Sequence, residues 1–257
     1  MQLSAKKHQW RQRSYHQFLC ASNYNNDEAD FLPSHYTSPS VLTWLQKMAD
    51  SYKIERGEDL LEVITRESSI DFAFDDSSDT HLQKLAKVCA TTNLPIASHD
   101  FLRDTITGNA IYIYGNLAFL NGFGYEWDEF VQLPSRKCVE TEGEVEERQR
   151  LLDSVKKNAV KQQDQSSNDS SHNAANNEED GASKYDNLIR VRKDGNKILL
   201  KGVNLWNVYD ICLQQLTDDS TTITIDAEEE DRIRTRVEQG DIKAIGQAVW
   251  IRHVDYL

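Results

Sequence analysis

The chain has 257 residues, 39% of them hydrophobic, and a formal net charge of −13. This length accommodates one large domain with extensions or two small domains. The acidic balance argues against a nucleic-acid partner, because a negative surface repels phosphate backbones. No apolar run approaches the ~20 residues of a membrane-spanning helix, so the sequence predicts no membrane partner.

The cysteines give no metal or disulfide pattern. They are far apart and form no CxxC pair: Cys20, Cys89, Cys138 and Cys212. Zinc-ligand spacing is therefore absent, and reduced thiols in a cytoplasmic protein are expected. Residues 1–26 are basic and contain no acid, which weakly resembles a targeting segment. A plastid or another organelle is therefore the alternative location.

The N-terminal third divides into a polar tail and a helical segment. Residues 1–37 show no sustained period and are predicted to be a disordered basic N-terminus. Ser38-Pro39 then starts a helix, with an apolar stripe of Val41, Trp44, Leu45, Met48 and Tyr52. This stripe packs on its own domain or forms a homodimer, and we favour the first. Asp79 is expected to cap a further helix, so that 38–95 form an N-terminal helical flank.

The middle of the chain predicts two strands followed by short helices. Ile96–Asp100 reads as the first strand. Ile111–Tyr114 is β-branched or aromatic throughout, which favours a strand buried on both sides or at a sheet centre. Asn116 caps a helix over Leu117–Phe123, and a second aromatic turn ends before Pro134. A charged helix is predicted to open at Glu144.

The last third alternates strands with polar segments. Residues 161–184 contain no Ile, Leu, Val, Phe, Met or Trp, which predicts a disordered insertion. Leu188–Arg192 and Lys197–Tyr209 form a hairpin across Asp194-Gly195. Residues 214–241 form an acidic insertion that could hold an exposed helix, and Ala244–Tyr256 is the final strand. Grouped helices between antiparallel strands indicate the α+β class.

Several short motifs occur together in a recognisable order. They are Ser98-His99, Tyr114-Gly115-Asn116, Leu133-Pro134-Ser135-Arg136, Leu205-Trp206-Asn207 and Gly246-Gln247-Ala248. In this order they resemble the MEKHLA domain family. The resemblance implies a PAS-like fold over 96–257, with a five-stranded antiparallel sheet and helices on one face. It also implies a small-molecule sensory or protein-interaction module without catalysis of its own.

Six residues are candidates for ligand binding in such a module: Tyr114, Asn116, Trp127, Arg136, Trp206 and Gln247. Of these, Tyr114, Trp127, Trp206 and Gln247 are expected to face one common interior. Each also has a structural interpretation. Asn116 could be only a helix cap, Trp206 only core, Arg136 only half of an internal ion pair, and Gln247 a partner for backbone groups.

The sequence assigns no catalytic residue, no metal site and no cofactor. A small-molecule enzyme on the same fold is the alternative function, and it would draw its acid or base from His99, Asp210 or Glu140. Cys138 stands where flavin-binding PAS modules carry a reactive cysteine, but the residues around it differ, which disfavours flavin. Residues 144–160 contain no His, which disfavours haem. The partner is an unidentified protein or a small-molecule ligand.

Overall fold

The structure is a computed structural model that describes residues 32–68, 70–72, 74, 79–101, 110–138, 183–185, 188–211, 213–216, 222–224 and 226–257. Three predicted features lie outside these residues: the tail up to residue 31, the helix from Glu144, and residues 161–182 of the polar insertion. Glu140 and Cys212 lie outside them as well.

Three helices form the described N-terminal part: α1 (Pro39–Arg56), α2 (Leu60–Glu67) and α3 (His81–Thr91). Helix α1 starts at the predicted Ser38-Pro39 and ends at Gly57, whose φ of 70° suits glycine. Asp59 caps α2. The prediction that Asp79 caps the next helix is wrong by one residue, because Thr80 and the side chain three positions later form a reciprocal capping box.

The predicted disordered tail ends earlier than expected. Residues Ser34–Thr37 form a 3-10 turn, and Tyr36 is fully buried. The Tyr36 hydroxyl donates to the carbonyl of Gly115 at 2.9 Å. A single buried aromatic residue with a satisfied hydroxyl orders this turn, and such an anchor leaves no periodic pattern in the sequence.

The main sheet is antiparallel throughout and contains β1 (Ile96–Asp100), β2 (Ile111–Gly115), β3 (Ser183–Tyr185), β4 (Leu188–Val191), β5 (Lys197–Tyr209) and β8 (Ala244–Tyr256). The strand order is β2-β1-β8-β5-β3, and β4 also pairs with β5. Because β3 and β4 use successive parts of one edge of β5, the sheet has five positions. Together with α4 (Leu117–Phe123) and α5 (Trp127–Phe130) after β2, this order confirms the predicted PAS-like α+β fold.

Strand β2 lies at an edge of the sheet, so the expected position at a sheet centre is wrong. The alternative, burial on both sides, fits the structure, because Tyr114 packs in the core with α1 and Tyr112 packs in the core of the opposite face. Its outer edge is covered by the chain segment 132–135 instead of a strand. Tyr112 donates its N–H to the carbonyl of Leu133 at 3.0 Å and accepts from Gln132 N at 2.7 Å. The apolar, β-branched composition therefore reflects packing under this segment.

The two polar insertions contribute structure where they are described. Ser183 and Lys184, at the end of the predicted disordered insertion, belong to β3. The acidic insertion contains a hairpin of β6 (Gln214–Leu216) and β7 (Thr222–Thr224), followed by α6 (Ala227–Glu238). The predicted exposed helix is present, but Val237 is buried against Tyr209. One apolar stripe therefore fixes an otherwise charged helix.

Both faces of the sheet are covered, by different helices. Helices α1, α2 and α3 pack on one face against a core that includes Trp206 and Trp250. The apolar stripe of α1 thus packs on its own domain, as favoured from the sequence. The opposite face packs against α4 and α5 through Phe119, Phe123 and Phe130. We call this second face the cup face.

Helix α1 also completes the edge of β5. Past Leu205, no described strand pairs with this edge. Side chains of α1 bond to the strand's backbone there: Ser51 accepts from Tyr209 N at 2.8 Å, and Arg56 donates to the Leu205 carbonyl at 2.9 Å. Glu55 accepts from Asn207 N at 3.4 Å. The side chains of one helix therefore take the place of a neighbouring strand.

Candidate ligand-binding cavity

A cavity of about 90 Å³ lies on the cup face. Most of its lining is apolar and comes from α4 and the strands, including Phe119, Phe123 and Val203. His99, Arg190 and Gln247 also line it. The volume is enough for a few water molecules or a small ring, and it is below the ~300 Å³ at which pockets for larger ligands begin.

Gln247 supplies a buried polar group to this cavity. Its side chain is fully buried, and on β8 it is paired with His99 of β1 on one side and with Asn207 of β5 on the other. Its Nε2 donates to Asn207 Oδ1 at 3.3 Å. Its Oε1 has no hydrogen-bond partner among the described residues. A buried acceptor in this state costs roughly 1–3 kcal/mol, which a ligand donor or a water would recover.

The hydrogen bonds continue from Gln247 to helix α1. Asn207 Nδ2 donates to Glu55 Oε1 at 3.1 Å. The Tyr209 hydroxyl donates to the same Glu55 oxygen at 2.8 Å. Burial raises the pKa of Glu55, although the hydrogen bonds from Tyr209 and Asn207 act in the opposite direction. A polar chain thus links the cavity to the helix that completes the β5 edge.

The three acid–base candidates are separated. His99 is 7% exposed and lines the cavity, with the ring of Tyr112 centred 6.0 Å away. Asp210 is exposed and forms an ion pair with Lys47, away from the cavity lining. Glu140 lies outside the described residues. His99 is therefore the one candidate of the three that the described structure brings into the cavity.

The expected common interior of Tyr114, Trp127, Trp206 and Gln247 is not formed. Tyr114 and Trp206 are fully buried on the opposite face of the sheet, in the core with α1. Trp206 Nε1 donates to the Met48 carbonyl at 3.1 Å. Successive residues of a strand point to opposite faces, and Asn207 is the residue that lies beside Gln247. Trp206 must therefore point away from the cup.

The remaining three candidates, Asn116, Trp127 and Arg136, are not in the lining of this cavity. Asn116 is confirmed as a helix cap: its Oδ1 accepts from Phe119 N at 2.9 Å and from Ile96 N at 2.9 Å. Trp127 stacks on His35 at 4.2 Å and packs against both cores. Arg136 is exposed in the 3-10 turn Ser135–Cys138.

Sequence reasoning missed Asn207 and Glu55 as site residues. Asn207 was noted only as part of the Leu205-Trp206-Asn207 motif, and no pattern connects it with Glu55, which lies 152 positions earlier. The cavity is also lined by Cys138, which is 2% exposed. The prediction that this cysteine carries no flavin stays a prediction.

None of the described helices is long and apolar enough to cross a membrane. Within the described ranges, no three His, Cys, Asp or Glu side chains are placed to hold a metal ion.

Comparisons with known proteins address the family. Comparison with curated proteins gives no match. Solved structures with some similarity include a fungal LOV domain photoreceptor, with 11% identity, a TM-score of 0.32, and coverage of 78% of this chain and 93% of that chain. The light-state dimer of the fungal blue-light photoreceptor Vivid gives 9% identity, a TM-score of 0.32, and coverage of 76% and 93%.

An RNA-binding light-oxygen-voltage receptor gives 13% identity and a TM-score of 0.33, with coverage of 68% of this chain and 41% of that chain. This chain therefore corresponds to less than half of that receptor. Scores at this level say nothing about ligand or light response. The family model of the MEKHLA domain matches residues 42–172, slightly more than half of the chain. The chain belongs to the MEKHLA domain family.

Proposed function

We propose that this MEKHLA-domain chain is a small-molecule sensory module whose ligand binds on the cup face beside Gln247. The observation that carries this proposal is the fully buried Gln247 Oε1, which lines the cavity and has no partner among the described residues. A mainly apolar lining with a few polar side chains, here His99, Arg190 and Gln247, is typical of small-molecule sites, although this cavity is smaller than most. Binding of the ligand would change the interaction of this chain with a partner protein or with a second copy of the chain.

A mass spectrum and an absorption spectrum of the purified protein test the proposal directly. The expected result is a co-purified small molecule, or binding of an added small apolar compound, that Gln247→Leu weakens. Asn204→Leu is the matched control, because Asn204 is also a buried amide on a strand of the sheet but hydrogen-bonds to the Gly202 carbonyl and is not in the cavity lining. A chain that binds no small molecule in either assay would contradict the proposal and indicate a hydrated core.

An enzyme on the same cup is the second candidate, and one observation favours it. His99 lines the cavity and pairs across β1 and β8 with Gln247. An imidazole beside a bound ligand could act as a general acid or base near neutral pH. Chemical turnover of the co-purified molecule that His99→Gln abolishes, while binding persists, would favour the enzyme. A molecule that is recovered unchanged after incubation would favour the sensor.

A further inference from the structure

We propose that the cavity selects a small, largely apolar molecule that carries one hydrogen-bond donor, and that Glu55 of α1 fixes this preference through Asn207 and Gln247. This proposal rests on the proposed function, because it takes the cavity to be a ligand site. It makes Glu55 a positioning residue, since Glu55 is not in the cavity lining.

The first step concerns the orientation of Asn207. Three donors converge on the two oxygens of Glu55: the Tyr209 hydroxyl, Asn207 Nδ2 and the Asn207 backbone N–H. Three donors suit an ionised carboxylate, which accepts hydrogen bonds and cannot donate them. Asn207 must therefore turn its NH2 group toward Glu55. Its carbonyl oxygen is consequently left facing Gln247.

The second step concerns the orientation of Gln247, which lines the cavity. Asn207 Oδ1 is an acceptor only, so Gln247 must direct its NH2 group to it, as the 3.3 Å contact has it. The Gln247 amide then has its oxygen left over. The Glu55 carboxylate therefore fixes the orientation of the Asn207 and Gln247 side-chain amides. Their N and O atoms, which are usually hard to tell apart, are assigned by these hydrogen bonds. The group that Gln247 leaves for a ligand is therefore an acceptor.

The third step defines the ligand. The lining is mainly aromatic and aliphatic, and Arg190 donates to the carbonyl of its own neighbour Ile189 at 2.7 Å. The cavity of about 90 Å³ is smaller than the ~150 Å³ of an apolar cavity that binds benzene, so one six-membered ring is the upper limit of ligand size. A hydroxyl or N–H on that ring would satisfy Gln247 Oε1. An acceptor at the same place would meet another acceptor and bind more weakly.

Three probes of similar size separate these effects: phenol as the donor, benzene as the neutral reference, and pyridine as an acceptor. Dissociation constants are measured calorimetrically with the full chain above pH 7, where pyridine is neutral. The expected order is phenol tightest and pyridine weakest, with phenol about tenfold tighter than benzene. In Gln247→Leu, benzene still binds and the phenol preference disappears.

Glu55→Gln tests the positioning residue. A glutamine side chain can donate as well as accept, so the side-chain amides of Asn207 and Gln247 can each rotate by 180° and exchange their N and O positions. The ratio of phenol to pyridine affinity is therefore expected to fall severalfold. Asp50→Asn is the matched control, because it removes the same charge from α1. Asp50 bonds to Gln46 and Leu213 and has no hydrogen bond to Asn207 or Gln247. It should leave the ratio unchanged. A variant that is merely destabilised would weaken all three probes together and leave their ratio constant.

The outcomes distinguish the proposed donor preference from the proposal that the cavity is a ligand site. If none of the three probes binds the unmodified chain, the cavity is not a ligand site and both proposals fail. If benzene and phenol bind equally, the ligand site stands and the donor preference is wrong. If phenol is preferred but Glu55→Gln leaves the phenol-to-pyridine ratio unchanged, Glu55 does not set the preference.

Discussion

Asp50→Asn should stabilise the fold near neutral pH, although it removes a hydrogen-bonded carboxylate. Asp50 lies on α1 and is 5% exposed. It accepts from Leu213 N at 2.9 Å and from Gln46 Nε2 at 2.8 Å. Burial raises the pKa of Asp50 from 3.8 to about 6, because desolvation outweighs these hydrogen bonds. Charging this group in the folded state is therefore costly.

The sign and size of the change in the free energy of unfolding follow from proton linkage. Between pH 3.8 and about 6 the folded chain holds a proton on Asp50 that the unfolded chain has lost, so stability falls as pH rises through this window. At about 1.4 kcal/mol per pKa unit, the full loss is at most roughly 3 kcal/mol. An asparagine is neutral and can still accept from Leu213. Asp50→Asn should therefore raise the free energy of unfolding by roughly 1–3 kcal/mol at pH 7 and change it little at pH 4.

Urea unfolding followed by tryptophan fluorescence from pH 3 to 7.5 measures the difference in the free energy of unfolding. The control is Asp59→Asn, for which the opposite sign is expected. The hydrogen bond from His81 lowers the pKa of Asp59, so its contribution is present near neutral pH and is lost as pH falls. If Asp50→Asn is destabilising at pH 7, or if its effect does not change with pH, the hydrogen bonds outweigh desolvation and the reasoning fails.

Three further substitutions test the packing and the chemistry. Trp206→Ala should cost roughly 3–5 kcal/mol in urea unfolding through lost burial and a cavity, whereas a cost below about 1 kcal/mol would show that the site repacks. Gly246→Ala should lower the melting temperature strongly, because its Cβ would lie 2.4 Å from the His99 carbonyl oxygen, while Gly122→Ala has open space and should not. Cys138→Ser should leave the absorption spectrum unchanged. Blue-light bleaching that this substitution abolishes would overturn the prediction of no flavin.

Local patterns were enough to predict the order of most elements. The stripe after Ser38-Pro39 predicted α1, and the turn at Asp194-Gly195 predicted the hairpin that contains β5. These features depend on neighbours within a few positions, so a single sequence contains them. The position of β2 in the sheet could not be read in this way. Edge and central strands can share one composition when an irregular segment covers the edge.

The orientation of the strands limited the prediction of the site. Trp206 and Asn207 are adjacent and must point to opposite faces, but the sequence does not say which one faces the cup. That choice depends on the register between β5 and β8, in which Asn207 lies opposite Gln247. The expectation placed Trp206 in the common interior because its strand lies in the same sheet as the strand of Gln247. Its actual role is in the core beneath α1.

The N-terminal helices and the sheet act as one structural unit, and the family match begins within these helices. The match starts at residue 42, inside α1, and well before the first strand. Without α1, the apolar face around Trp206 would be exposed to water. The edge of β5 that faces away from β8 would also lose its side-chain partners between Leu205 and Tyr209. The same helix carries Glu55 to the polar chain that ends at the cavity. A helix that looked like a flank in the sequence therefore covers the core, completes the edge of the sheet and contacts the site.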